Sequence, residues 1–242
     1  MHLLGINIDT LSQRELVSQC EAWLTGTGFH RIVTVNPEFL VRAQTDQTFR
    51  TAVEQADLRI ADGFGLVLAG WLQGKQLERF PGADLMGEIF RIANEKKISV
   101  YLAVRADGLS SYEEVREVIL KKYPNIKIDG ENRVVAEFKS YQLKAKNYQL
   151  VFCNFGAPAQ ELFLESLRSA PGDLRLVMGV GGSFDYLTGK NKRAPRWLSH
   201  MGLEWAWRFL LQPGRWIRIW SAIVVFPALV MLEKVTKKRT TT

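Results

Sequence analysis

Short runs of consecutive apolar residues alternate along the chain with stretches in which apolar residues recur every three or four positions. The runs His30–Val35, Leu58–Ala61, Ile98–Val104, Gln149–Asn154 and Arg175–Val180 are four to seven residues long. A strand that is apolar on consecutive positions buries both of its faces, so helices must cover the sheet on two sides. The helical spacing falls at Ser12–Leu24, Asp84–Lys96, Ser111–Lys122 and Pro158–Ser169. Pro158 stands where a helix can begin, because the first turn needs no N–H from it. This alternation predicts an α/β fold built on a mainly parallel sheet. Such a fold assigns no function by itself.

The rhythm ends near Lys190. Five of the seven tryptophans (Trp197, Trp205, Trp207, Trp216 and Trp220) lie within 24 residues, and Pro213-Gly214 then breaks the chain. Ile219–Leu232 follows, an apolar run of 14 residues interrupted by Ser221 and Pro227, and Lys237-Lys238-Arg239 comes after it. A spanning helix needs about 20 apolar residues, so this run is expected to lie on a membrane surface unless flanking residues lengthen it. The plainer alternative is a buried helix with a solvated basic tail. Charge separates the same two parts. From residue 190 on, eleven Lys and Arg face two Glu, a balance of +9 against +7 for all 242 residues, which leaves −2 on the first 189. A basic end on a near-neutral body calls for an anionic partner there. We divide the chain into a catalytic core, 1–189, and an appendage, 190–242. The two cysteines, Cys20 and Cys153, lack disulfide or metal spacing and fit a reducing compartment. The N-terminal segment lacks a basic region followed by a long apolar run, so a cytoplasmic location is expected.

Four segments offer chemistry. Thr34-Val35-Asn36-Pro37-Glu38 closes a strand, and ligands of open α/β sheets bind at the carboxyl ends of strands; a plain turn and helix start would read the same. Ala61-Asp62-Gly63-Phe64-Gly65 offers a carboxylate able to accept a proton, with glycines that permit close approach to the backbone. A helix cap by Asp62 is the simpler reading of that segment alone. Gly179-Val180-Gly181-Gly182-Ser183-Phe184-Asp185 could present backbone N–H groups to a phosphate or be a tight turn. Arg215 and Arg218 would share a helix face, with Arg208 one segment earlier. These arginines alternate with Trp and Ile, as expected where apolar and anionic groups meet. Asp129-Gly130-Glu131 reads as a turn. No strand leads into an Asp-x-Asp pair, no dinucleotide fingerprint or G-x-S-x-G elbow occurs, and His2, His30 and His200 are scattered.

Taken in order, these segments join Glu78-Arg79-Phe80-Pro81-Gly82-Ala83-Asp84-Leu85, Gly156-Ala157-Pro158-Ala159-Gln160-Glu161, Gly189, Arg193-Ala194-Pro195 and Gly202-Leu203-Glu204-Trp205. The set resembles the WecG/TagA/CpsF glycosyltransferase family over nearly the whole chain. The resemblance implies a Rossmann-like core and transfer of a sugar, N-acetylmannosamine or a relative, from UDP to a polyprenyl-diphosphate-linked N-acetylglucosamine. It implies inversion at the anomeric carbon with no metal and no cofactor, the UDP-sugar being a substrate. Asp62 matches the family's proposed general base, and Thr34 the polar residue facing it. Gln160 matches a position of the family motif lining the same cleft; Asn36, Gly63, Arg79 and Asp185 are expected to bind substrate beside it, and Gly181 and Gly182 to offer backbone N–H groups. Arg208, Arg215 and Arg218 match appendage arginines thought to grip the lipid diphosphate. The chain departs from the pattern at Arg105-Ala106, where a Gly-Gly pair is usual, at Asn154, where a glycine is common, and at Glu131, where an aromatic is usual. The changes at 105 and 131 bear on the pocket that reads the donor sugar.

The rival from another class is a membrane-surface binding protein on a transferase-like scaffold without activity. Retention of Thr34, Asp62, Gln160 and the arginines argues against it, since a binder needs no base. A pI near 9.5 also suggests nucleic acid. The basic residues, however, are interleaved with an aliphatic run, which suits lipid and not a phosphodiester backbone. The expected partners are therefore the donor, the lipid-linked acceptor and the anionic inner face of the cell membrane, bound peripherally. Self-association is expected to cover the apolar face away from lipid.

Overall fold

A computed structural model describes residues 1–136, 148–170, 172–195, 198, 204–211, 214 and 216–240, with the backbone alone at 204, 205, 208, 211 and 237–240. A small antiparallel pair, β1 (His2–Leu3) and β2 (Ile6–Asn7), opens the chain. The main elements follow as α1 (Gln13–Thr25), β3 (His30–Val35), α2 (Pro37–Arg42), α3 (Gln47–Glu54), β4 (Leu58–Ala61), α4 (Phe64–Leu72), α5 (Gly82–Lys96), β5 (Ser99–Arg105), α6 (Tyr112–Lys122), β6 (Lys127–Arg133), β7 (Leu150–Cys153), α7 (Ala159–Ser166), β8 (Leu176–Gly179) and α8 (Ser183–Leu187). Six strands form one sheet in the order β4-β3-β8-β7-β5-β6, and every pairing is parallel.

Helix starts follow the sequence. Ser12 and Glu15, and again Ser111 and Glu114, form capping boxes at the heads of α1 and α6. Asn36 caps α2 through its side chain, which accepts the Phe39 N–H at 3.1 Å, with Pro37 in the first turn. Successive residues of the central strands enter different cores. Val100, Leu102, Val104, Leu150, Phe152, Leu176 and Met178 pack with α1, α5 and α6 on one face. On the other face Tyr101, Ala103, Val151, Cys153 and Val177 pack with α7. Val33 and Val35 join α2, α3 and α4 beside them. Both faces are covered, as the unbroken apolar runs required.

Asp129-Gly130-Glu131, read as a turn, lies within β6, which pairs with β5 over seven residues. β6 is the edge of the sheet, and its sequence KIDGENR is polar enough to face water on that side. Gly130 is required there, because a Cβ would lie 2.3 Å from the Leu102 carbonyl oxygen.

Beyond β8 the described appendage comprises a helix at Glu204–Leu211 and a longer C-terminal helix. The latter runs from Trp216–Trp220 through a π-helical segment, Ser221–Val225, into Phe226–Thr240. Trp216–Thr236 forms 21 residues of helix, apolar and long enough by composition and length to cross a membrane. The flanking residues thus do lengthen the 14-residue run. The helix packs on α2 and α4, burying Phe226 and Val230 in the core shared with those helices. Glu233 accepts the N–H of Leu4 at 3.1 Å, and the Lys234 ammonium donates to the Leu72 carbonyl at 3.1 Å.

Candidate active site

The carboxyl ends of five parallel strands open into one cleft of about 1380 Å³. Thr34 and Asn36 come from the end of β3, Asp62 from β4, Arg105 from β5, Asn154 and Gly156 from β7, and Val180 to Gly182 from β8. Arg79, Asp84 and Asp185 also line it, with Gly214 and Arg218 from the appendage. This is where the crossovers of an open α/β sheet leave room for a ligand. Of the expected residues the cleft gathers Thr34, Asn36, Asp62, Arg79, Gln160, Gly181, Gly182, Asp185 and Arg218. Arg215 lies outside the described residues, as does the side chain of Arg208.

Thr34, on β3, is buried, and Gly82 at the head of α5 comes against it: a Cβ on Gly82 would lie 3.1 Å from Thr34 Cγ2. Asp62 follows β4, its N–H donating to the Val35 carbonyl at 2.8 Å. Its carboxylate accepts the Gly82 N–H at 3.2 Å, and its carbonyl accepts Arg79 Nε–H at 3.0 Å. The cap position of α4 is Gly63, which has no side chain to bond, so Asp62 is not the N-cap residue of α4. Its carboxylate instead meets the start of a different helix at the cleft floor.

Gly63 is not among the lining residues. A Cβ on Gly63 would lie 2.7 Å from Pro37 Cδ, and one on Gly65 would lie 2.9 Å from Pro37 Cγ. These glycines admit the proline ring that begins α2; the close approach read as a ligand's is made by the protein itself.

Gln160 is buried at 3% exposure. Its side-chain oxygen accepts the N–H groups of Gly156 at 3.1 Å and Gly181 at 3.3 Å, and its amide nitrogen donates to Glu161 at 2.9 Å. Its role is therefore to brace the loops that follow β7 and β8. Gly179 has no Cβ because one would lie 2.5 Å from Gln160 Nε2. In the glycine loop the N–H of Gly181 is spent on Gln160 and that of Ser183 on the Val180 carbonyl at 3.0 Å. A run of successive outward N–H groups is therefore not available for a phosphate. Asp185 accepts the Ser110 hydroxyl at 2.8 Å.

The cleft arginines come paired. Arg105 Nε and an NH2 group meet Asp107 at 2.6 and 2.5 Å, which holds the Asp107 carboxyl below its usual range and raises the guanidinium. Arg193 meets Asp84 at 2.6 Å and lies over the Tyr186 ring, and Arg218 Nε reaches both oxygens of Glu38 at 2.8 Å. Asn154 accepts the Arg105 N–H at 2.6 Å, fixing the end of β5 to that of β7. Of the two departures bearing on the donor, Arg105 lines the cleft. Glu131, on β6, is instead bonded to Tyr101 of β5 and to Arg133 and is not among the lining residues. The place of Arg105 in the wall agrees with its reading as a position bearing on the donor pocket, whereas Asp107 was not singled out and Asn154 stood out only as a departure from a glycine pattern. Among the described residues no group of three or more His, Cys, Asp or Glu could hold a metal ion.

The sequence model of the glycosyl transferase WecG/TagA/CpsF family matches residues 1–240. The chain is 33% identical over 212 residues to the N-acetylglucosaminyldiphosphoundecaprenol N-acetyl-beta-D-mannosaminyltransferase of Bacillus subtilis, covering 86% of this chain and 81% of that protein. The enzyme of the same name from Bacillus spizizenii is 32% identical over 215 residues, with the same coverage. That from Staphylococcus aureus is 28% identical over 246 residues, covering 98% and 94%.

Proposed function

The chain belongs to the WecG/TagA/CpsF family of glycosyltransferases, and on that premise we propose that it moves an N-acetylmannosamine-type sugar from UDP to a polyprenyl-diphosphate-linked N-acetylglucosamine. It is a hexosyltransferase of cell-surface polymer assembly. The observation that carries the reading is the convergence of Thr34, Asp62 and Arg218 on one cleft at the strand ends.

Asp62 takes the proton of the acceptor hydroxyl as its oxygen bonds to the anomeric carbon. The bond from that carbon to the UDP phosphate oxygen breaks on the opposite face, and UDP leaves with the electron pair, so the configuration inverts. The N–H of Gly82 fixes the Asp62 carboxylate. A positioned base of this kind contributes about 10²–10⁴ in rate. Charge growing on the departing diphosphate meets arginine side chains, whose forked donors suit phosphate oxygens. On this reading arginines take the part a metal would play, and the chelator in the assay below tests it.

Two apolar stripes support attachment to a membrane surface. On α4, Phe64, Leu68, Trp71 and Leu72 are exposed on one side while Leu66, Ala69 and Gly70 are buried on the other. On the C-terminal helix, Trp216, Trp220, Ile223, Val224, Met231 and Val235 are exposed along one side. A helix apolar on both sides belongs partly in a core and partly in another apolar phase. Because its other side is fastened to Leu4, Leu72 and the core, the C-terminal helix lies on the bilayer instead of crossing it. The basic appendage thus places the enzyme at the anionic inner membrane face, and without lipid the same stripes drive self-association.

The test is a transfer assay with a short-chain polyprenyl-diphosphate-GlcNAc, a panel of UDP-sugars and a chelator, comparing the wild type with Asp62→Asn. One donor should give product, and the variant should lose about 10²-fold or more in kcat with UDP binding retained. Full activity in Asp62→Asn would remove the base assignment. Product only after a divalent ion is restored would remove the metal-independent reading.

A further inference from the structure

We propose that Arg193 is a diphosphate-binding residue of this cleft, and that Asp84 is a resident anion holding its place until the substrate's diphosphate displaces it. The proposal rests on the reading of the cleft as a site for diphosphate substrates.

Arg193 precedes Ala194 and Pro195, which line the cleft with it. Its NH1 meets the Asp84 carboxylate at 2.6 Å, and its guanidinium lies over the Tyr186 ring, 5.6 Å from the ring centre. Asp84 and Tyr186 line the cleft as well, so the pair sits within the substrate space. Both side chains are 47% exposed. An exposed pair of this kind is worth little, because water and salt compete with it. A diphosphate offers the same guanidinium more negative charge than one carboxylate and several acceptor oxygens that its fork can bind in pairs. Exchange of partners is therefore favourable, and the aspartate keeps the arginine aimed into the cleft meanwhile. Arg218 and Glu38 repeat the arrangement where the appendage meets α2, again with a carboxylate from the first helical turn. Asp84 likewise stands in the first turn of α5.

A resident anion competes with the ligand, so removing it must tighten binding. This separates the proposal from a structural salt bridge, whose loss would leave affinity unchanged or weaken it. Binding of UDP and, separately, of a short-chain polyprenyl diphosphate is measured by calorimetry for the wild type, Asp84→Asn, Arg193→Ala and the double variant. Asp84→Asn should bind one of the two ligands about two- to fivefold more tightly, the range set by the strength of an exposed pair. Arg193→Ala should bind that same ligand about tenfold more weakly. In the Arg193→Ala background the Asp84→Asn gain should vanish. The ligand that responds identifies whether the donor or the acceptor diphosphate is gripped. Unchanged or weaker binding in Asp84→Asn would overturn the proposal while leaving the family reaction standing. A gain that persists without Arg193 would also overturn it, since it would reflect only the removal of a negative charge. Wild-type protein that binds neither ligand would remove the diphosphate reading itself, and the proposal with it.

Discussion

Arg31 is fully buried within β3, with NH1 3.2 Å from Glu161 and Nε 2.9 Å from Glu165 of α7, and with a bond to the Ala52 carbonyl. Burial pushes the Glu161 carboxyl up and the Arg31 guanidinium down, and each opposes the other's shift by attraction. A carboxyl whose folded value is raised favours the folded state below the ordinary carboxyl range and loses that contribution as pH rises through the folded value. Arg31 offsets the loss at neutral pH. Arg31→Met should therefore cost about 3–5 kcal/mol near pH 7 and distinctly less near pH 4, where Glu161 takes a proton. Urea unfolding at the two pH values measures the difference, and an equal cost at both would mean that the charge of Glu161 is immaterial. At this scale the sequence exposed Asp62 and Thr34, because each sits at the end of an apolar run. Pairs such as Arg193 with Asp84 and Gln160 with Gly181 were hidden, because partners 109 and 21 residues apart meet only in the fold.

The C-terminal helix joins the cleft to the apolar surface. Phe226 is its anchor, 2% exposed and facing Gly65 of α4. Phe226→Ala should remove about 3 kcal/mol of docking, seen as faster amide exchange over 216–236. Turnover of the lipid-linked acceptor should fall with it, while UDP binding to the core holds. Protection unchanged in the variant would show that Arg218, Glu233 and Lys234 suffice to hold the helix. Element reading from sequence succeeded for the five buried strands, whose apolar runs are dictated by two covered faces. It failed for β6, which as an edge strand needs no such run, and for the short α3; of α2 and α4 it read only the starts, where strands end at Asn36-Pro37 and at Asp62-Gly63. The length of the C-terminal helix was also underread, because the basic and aromatic residues flanking its apolar centre continue the same helix.

Over the whole chain, charge and apolar surface are gathered at the appendage, with +9 beyond residue 189 beside two exposed stripes. Vesicle binding should therefore depend on both. Raising the salt toward 1 M shortens screening to about 3 Å and should weaken binding to anionic vesicles severalfold without abolishing it. Trp71→Glu should weaken it at every salt concentration. Binding indifferent to Trp71 would confine the lipid contact to the appendage. The overall α/β design was legible because it follows from the order of apolar periods. The cleft's outline was legible only as strand ends, since its walls are assembled from segments far apart in sequence.

The Gln160 oxygen, by accepting from both Gly156 and Gly181, makes two loops mechanically one. A ligand that stills either loop stills both, so the loss of freedom on binding is incurred once. The second substrate to arrive finds its side of the cleft already quiet, so donor and acceptor should each tighten the other's binding by the same factor.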